Sequence, residues 1–474
     1  MSTRFHHARR TVLAAALAAV CTTAPVEAAE RIHLRPLADG ASVDGFIVGY
    51  RPGSAAKSSA ANLQRSLDAA TRASFGPDRP VTAKRERTLG IGAELIRTSR
   101  PLDRVDAETL MRRIAADPAV AYIEPNIRLY PVLTPNDPQF SSQYGFGTGA
   151  GGSKATLAWD TGNTGVGVIV AVIDTGITSH PDLAANVLAG GYDFISTTSI
   201  ANDGGGRDAD PSDPGDWQTF FQCGFANPLP RNSSWHGTHV AGTIAAVTNN
   251  ATGVAGMAFG AKVLPVRALG RCGGSLSDII DAIVWSSGGT VAGVPAIGAN
   301  KAHVINMSLG GGGGCSTAMQ NAINGAVSRG TTVVVAAGNS NANVSGFTPA
   351  SCANVIAVGA TDSAGAKASF SNYGAGVDLS GPGVGILSTI NLGTTTPGAA
   401  GYTNYSGTSM ASPHVAGVVA LMLSHPDPDP TPAQVETLIK TSARPFGVAP
   451  PQPIGTGIVD ALAAILAVEA VGSP

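Results

Sequence analysis

Charge is scarce in this chain. Only 13% of its 474 residues are Asp, Glu, Lys or Arg, against the ~25% usual in globular domains. The formal net charge is −2, which excludes a basic nucleic-acid footprint spread over the molecule. Long apolar runs are missing too. The longest near the N-terminus, 12–20, has nine residues, far short of the ~20 a spanning helix needs. Cysteines number five with no C-x-x-C spacing, which argues against a structural zinc site. Aromatic residues are only 5%. Apolar residues nevertheless reach 43%, too many for a disordered chain, and glycine is abundant, 60 of 474.

The small net charge hides an asymmetry. Residues 1–29 hold three Arg and one Glu. Residues 30–132 hold 16 Lys+Arg against 12 Asp+Glu, and 133–474 hold 11 against 19, so a front of +4 precedes a back of −8. Two bodies of opposite sign are expected, and complementary ones.

Arg4, Arg9 and Arg10 precede the run 12–20, and small residues follow up to Ala28-Ala29. A basic segment, a short apolar stretch and a small-residue cut form a secretory signal over 1–29, to be removed on export. Cys21 follows bulky Val20, which argues against a lipid-anchored cysteine. The mature chain is then expected outside the cell, with no membrane attachment. Four cysteines remain, Cys223, Cys272, Cys315 and Cys352. An even number in an exported chain predicts two disulfides. Three pairings are possible, and Cys223–Cys272 with Cys315–Cys352 closes the two shortest loops.

Residues 44–51 pattern as a strand and 105–116 as an amphipathic helix, halted at Asp117-Pro118 before a strand at 120–123. That suits a small α+β domain over 30–132. The Pro-rich stretch 131–138 has the composition of a linker. Beyond it, continuous apolar runs at 168–173, 263–266, 304–307, 332–336 and 355–358 have the character of strands buried on both faces. Helical segments lie between and after them, at 277–287, 317–329 and 410–424, and Thr431-Pro432 opens another. Alternating strands and helices predict an α/β fold, a parallel sheet with helices on both sides.

Ligands of such sheets bind beyond the C-terminal strand ends. There stand Asp174-Thr-Gly, Ser308-Leu309-Gly310 and Gly338-Asn339, and two helix starts add His236-Gly-Thr-His239 and Gly407-Thr-Ser409-Met. A serine nucleophile needs a base, and the base needs an acceptor that fixes its tautomer. Asp174, His236 and Ser409 supply those roles. Ser409 at a helix N-terminus sits in a favourable field, and the Asn339 amide with the Ser409 N–H suits an oxyanion.

The segments Asp174-Thr-Gly, His236-Gly-Thr-His-Val-Ala-Gly-Thr and Gly407-Thr-Ser-Met-Ala-Ser-Pro-His-Val-Ala-Gly, in that order, resemble the three signatures of the subtilisin-like serine proteases. The resemblance runs over about residues 137–466. It implies a subtilisin-like three-layer fold in 133–474. It also implies an endopeptidase acting through Asp174, His236 and Ser409, with Asn339 as oxyanion donor and Ser308, Leu309 and Gly310 pairing with the substrate backbone. The front, 30–132, resembles the inhibitory prodomain of these enzymes, a small ferredoxin-like α+β domain, with maturation near 132–136. Protein substrates, an intramolecular inhibitor and a monomeric mature form follow from the same likeness.

Other chemistries fit less well. Asp160 and Asp174 both begin Asp-Thr-Gly but stand too close together for two aspartic-protease lobes. The half-match to a nucleophile elbow fails because no acid precedes His414 or His425 after Ser409. His236 and His239 form H-x-x-H without the Glu of a zinc protease, and His239 and His414 are expected to be satisfied helix residues. The alternative from another class is a catalytically inactive binding relative, which would have lost Ser, His or Asn. Asp203, Asp208, Asp210, Asp213 and Asp216 crowd one Gly/Pro-rich loop, and such crowding predicts a bound calcium ion, with Asp208, Asp210, Asp213 and Asp216 as its ligands. Asp182 and Asn250 match the family's calcium loop. No charged side chain lies between Asn339 and Asp362, which predicts a preference for apolar or varied side chains at the cleavage site.

Overall fold

The computed structural model describes residues 31–34, 42–127, 133–225, 227–424 and 430–472. The expected signal over 1–29, residues 128–132, of which Val132 begins the expected junction, and His425 lie outside the described residues. The chain divides into two compact units, Met1–Arg128 and Leu129–Pro474.

In the first unit the order is β1 (Val43–Tyr50), α1 (Ala60–Ser74), β2 (Ala83–Thr88), β3 (Glu94–Leu102), α2 (Arg104–Ala115) and β4 (Val120–Pro125). The sheet runs β2-β3-β1-β4, and every neighbouring pair is antiparallel. This is the split β-α-β arrangement of ferredoxin-like domains. Helix α1 buries Leu63, Leu67 and Ala70, and α2 buries Ala107, Leu110, Met111 and Ile114. Those spacings place each set on one helix face, and the two faces join Phe46, Val48 and Ile96 in one core. Asp103 caps α2, accepting from the Asp106 N–H at 2.8 Å, which fixes where the helix begins.

The second unit contains β5 (Ile169–Asp174), β6 (Tyr192–Asp193), α3 (His236–Ala245), β7 (Lys262–Arg267), α4 (Leu276–Ser286) and β8 (Val304–Met307). There follow β9 (Gly311–Gly312), α5 (Thr317–Ser328), β10 (Thr332–Ala336), β11 (Phe347–Thr348), β12 (Ile356–Thr361) and β13 (Leu379–Pro382). The chain continues through β14 (Ile386–Asn391), β15 (Ala400–Tyr405), α6 (Thr408–Leu423), α7 (Pro432–Thr441) and α8 (Ala461–Gly472). Seven strands form one parallel sheet in the order β13-β12-β10-β8-β5-β7-β6.

Successive residues of a strand face opposite sides, and here both sides are dry. Val170, Val172, Val304 and Val334 pack on α3, α6, α7 and α8. Ala171, Ile173, Ile305, Val333 and Val335 pack on α4 and α5. The result is the three-layer subtilisin-like fold: helices, parallel sheet, helices. Burial on both faces is why these strands are continuous apolar runs rather than alternating ones. Two disulfides, Cys223–Cys272 and Cys315–Cys352, tie loops of this unit together.

Candidate active site

Strands β10, β8 and β5 are neighbours in the sheet, so the residues following them meet at one edge. Asp174 ends β5, Ser308 follows β8, and Asn339 lies three residues past β10. Helix α3 begins with His236, and Ser409 is the second residue of α6. The edge thus gathers the candidates that are far apart in sequence.

Two close approaches make this possible. A Cβ on Gly237 would stand 2.2 Å from the Gly176 carbonyl oxygen, so only glycine lets the start of α3 abut the Asp174-Thr-Gly turn. A Cβ on Gly407 would stand 3.3 Å from Asn339 Nδ2 and 3.6 Å from the Ser409 N; both nitrogens therefore border one small space. Trp235, just before His236, is held in the left-handed region at φ 49°. Its indole N–H donates to the Gly393 carbonyl at 2.6 Å, and the ring is buried, which holds an otherwise costly conformation in place.

His236 Nδ1 donates to Asp174 Oδ1 at 2.8 Å. The Asp174 side chain is fully buried while that of His236 is 21% exposed, so the carboxylate is dry and the imidazole remains within reach of a ligand. Asp174 Oδ1 also accepts the Thr175 N–H at 2.7 Å. Thr175 Oγ1 in turn accepts the Gly237 N–H at 3.0 Å and donates to Asp213 Oδ2 at 2.7 Å, bracing the base of α3. Burial alone lowers an imidazole pKa, but the charge and hydrogen bond of Asp174, with Asp216 and Asp213, more than reverse it, and His236 is raised.

Asn339 Oδ1 accepts the Thr408 N–H at 2.8 Å and the Thr408 hydroxyl at 2.9 Å. Its orientation is therefore fixed, with Nδ2 turned beside the Ser409 N–H. The Ser409 hydroxyl donates to the Ser308 carbonyl at 3.2 Å. A cleft of about 720 Å³ opens beside these groups, lined by Leu309, Gly310, Ala337, Asn339 and Ser409 and, farther along, by Leu276. No charged side chain lines it. Residues 311–312, as β9, pair antiparallel with β11 at its rim.

His239 and His414 are buried helix residues, each with one ring nitrogen bonded to main-chain carbonyls, while Nδ1 of His239 has no hydrogen-bond partner among the described residues. His239 Nε2 donates to the Ile386 and Thr403 carbonyls, both at 3.1 Å, beneath a stacked Tyr405 ring. His414 Nδ1 donates to Met410 O at 2.8 Å. Burial lowers them to about 3 and about 4, so both are neutral.

The acidic loop differs from expectation. Asp208, Asp210, Asp213 and Asp216 do not converge on a common point, and among the described residues no cluster of three or more His, Cys, Asp or Glu is placed to hold a metal. Asp208 Oδ1 accepts the Asp210 N–H at 2.8 Å and Asp210 Oδ1 the Ser212 N–H at 3.0 Å. Asp213 is engaged by Thr175 and by the Gly215 N–H at 2.9 Å, and burial pushes its carboxyl up to about 7. Asp216 is held by the N–H and hydroxyl of Ser234, at 2.5 and 2.8 Å. Asp203 pairs with the buried Arg267 at 2.8 Å, and Arg267 also pairs with Asp193. Like-charge repulsion is thus relieved by turn N–H groups and an arginine, and these residues do not fit a calcium cage. Asp182 Oδ1 accepts Asn250 Nδ2 at 2.7 Å and Oδ2 the Val254 N–H at 2.9 Å. Both oxygens face N–H donors, so no ion is assigned there.

Sequence reasoning missed Thr408 as the residue that orients Asn339, Thr175 and Asp213 as the brace beneath His236, and Asn306 with Ser412 behind Ser308. Thr408, Thr175 and Ser412 had a signal, their place inside the motifs, and Asp213 stood out only as part of the acidic loop.

Residues 165–459 match the model of the subtilase family. An extracellular protease of Xanthomonas campestris pv. campestris is 59% identical over 462 residues, covering 96% of this chain and 78% of the relative. An extracellular basic protease of Dichelobacter nodosus is 48% identical over 390 residues, 81% of this chain and 64% of the relative. A solved protease structure from Pseudoalteromonas arctica superposes with a TM-score of 0.69 at 52% identity, covering 71% of this chain and all of that one.

Proposed function

The chain belongs to the subtilase family of serine proteases, and on that footing we propose that it is a secreted endopeptidase acting through an acyl-enzyme on Ser409. The observation that carries the reading is the 2.8 Å bond from His236 to a fully buried Asp174, at the same sheet edge as Ser409 and Asn339. His236 takes the Ser409 proton as Oγ attacks the scissile carbonyl, then returns it to the leaving amine. Asp174 holds the imidazole in the Nδ1–H tautomer and stabilises the imidazolium. Asn339 Nδ2 and the Ser409 N–H receive the oxyanion. Water then releases the acyl group by the same path in reverse.

Main-chain pairing along residues 308–310 supplies affinity for an extended substrate whatever its sequence. The uncharged cleft supports a preference for apolar side chains over Lys or Arg. Two relatives named as extracellular proteases support secretion, with 1–29 as the signal. The unit preceding residue 133 is read as an inhibitory prodomain removed by the enzyme itself; its ferredoxin-like topology and its opposite charge support this. No observation favours an inactive binding relative, since Asp174, His236, Ser409 and Asn339 are all retained.

The test is Ser409→Ala in the full chain. Casein hydrolysis should be nearly abolished and the junction near 132–136 should stay uncut. Normal self-processing in that variant would contradict the assignment.

A further inference from the structure

Pro413 stands inside α6, four residues after Ser409. Proline has no N–H, so the helical bond that normally closes on the Ser409 carbonyl cannot form, and the ring crowds that carbonyl. A half-buried main-chain acceptor left without its helical partner gains from another donor. Ser308 Oγ is that donor, at 2.8 Å from the Ser409 carbonyl oxygen.

The Ser308 proton has one direction open to it. Asn306 Nδ2 donates to Ser308 Oγ at 3.0 Å, and Asn306 Oδ1 accepts from Ser412 Oγ at 2.7 Å. Asn306 and Ser412 are fully buried and Ser308 is 4% exposed, so the bonds among these three are shielded from competing water, while the Ser409 end is half-buried beside the cleft. The return contact runs from the Ser409 hydroxyl to the Ser308 carbonyl, at 3.2 Å. Residues 308 and 409 therefore hold each other twice, side chain to main chain in each direction.

We propose that Ser308 is a positioning residue whose hydroxyl stands in for the N–H that Pro413 lacks. By fixing the Ser409 main chain it sets both the approach of Oγ and the aim of the Ser409 N–H at the oxyanion. This role is separate from the main-chain pairing of 308–310 with substrate. It rests on the reading of Ser409 as nucleophile.

The test uses the mature enzyme, a peptide p-nitroanilide and a phosphonofluoridate that labels active serines. Ser308→Ala should lower kcat and the labelling rate by roughly ten- to a hundredfold, the scale of a small misplacement of reacting groups. KM should move by no more than about twofold, because the substrate meets only the main chain there. Pro413→Ala added to Ser308→Ala restores an N–H opposite the Ser409 carbonyl and should recover most of the lost kcat. Ser308→Thr keeps the hydroxyl and should retain most of the wild-type kcat, which separates loss of the donor from loss of folding. Ser308→Ala with wild-type kcat, or a double variant no faster than Ser308→Ala, overturns the proposal. Wild-type enzyme that is labelled elsewhere than Ser409 overturns the underlying assignment instead, and is recognised by where the label maps.

Discussion

The two units use helix and strand to different ends. In the first, an antiparallel sheet and two helices share one core, and β2 is exposed at five of its six residues. Its charges pair at the surface, Arg79 and Arg100 with Asp106, Arg97 with Asp44 and Glu86, where each pair contributes ~0–1 kcal/mol. In the second, the parallel sheet is dry on both faces, with a core on each side, and Arg267 is ion-paired in the interior. Both disulfides, and 53 of the 60 glycines, lie beyond residue 132. All nine non-glycine residues with left-handed φ among the described residues lie there too, Trp235 and Cys272 included. A unit with two cores and two covalent ties sustains strained backbone beside its site. A unit with one core shows no such strain among its described residues and has less to hold it.

The largest expected effect sharpens that contrast by removing function without stability. Asn339→Ala should cost kcat roughly 10²–10³, a magnitude taken from such a donor in another member of this family rather than derived from this structure. Calorimetry should find both melting transitions nearly unmoved. The second prediction presses on the core of each unit. Leu110→Ala in the first and Ile305→Ala in the second each should cost about 2–5 kcal/mol. Only the former should open its unit to trypsin at moderate temperature, and equal resistance would erase the contrast. Third, reduction of the disulfides, with sequence separations of 49 and 37, should destabilise the second unit by up to about 4 kcal/mol each. Residues 30–132 hold no cysteine, and the first unit should melt unchanged.

The fourth effect is a pH profile. In the proposed mechanism His236 acts as a neutral base, so kcat/KM rises with pH through its pKa, and because that value is raised the inflection should lie above the usual ~6.5. Asp216→Asn removes one raising charge and should move the inflection down; an upward move would refute the electrostatic account. The sign for stability is opposite. The protonated His236–Asp174 pair stabilises the fold fully below the unfolded value of ~6.5, and that contribution is lost as pH rises through the raised one. The smallest effect concerns the acidic loop. Asp208→Asn and Asp210→Asn should leave the response of melting to calcium or EDTA as in the wild type.

Much of the second unit was legible because its signals were local and redundant. A strand buried on both faces has to be an apolar run, and Asp174, His236 and Ser409 each sit where such a run ends or a helix begins. The first unit was only partly legible. Strand β2, Ala-Lys-Arg-Glu-Arg-Thr, is an edge strand whose charged side chains discourage pairing with other chains, so no alternation announces it. Helix α1 escaped notice because its buried Leu63, Leu67 and Ala70 are sparse among polar residues. The acidic loop misled for a different reason. Crowded carboxylates need relief, but sequence does not say whether a cation gives it or the turn N–H groups and Arg267 do. Ser308 was legible only as a main-chain contact, because its hydroxyl's partner is created by a proline on another element.

The uncharged cleft has a kinetic consequence. Side chains that enter it are sorted at contact by shape and apolarity, since no fixed charge lines it. The segment 133–474 that surrounds it carries −8, and a field of that sign acts before contact, over about 10 Å at 0.1 M salt. Cationic polypeptide substrates should therefore be drawn in faster than acidic ones at low ionic strength, an advantage that should fade as salt rises. For the proposed endopeptidase, selection then works at two ranges: charge governs how often a chain arrives, and the neutral cleft governs which of its bonds is cut.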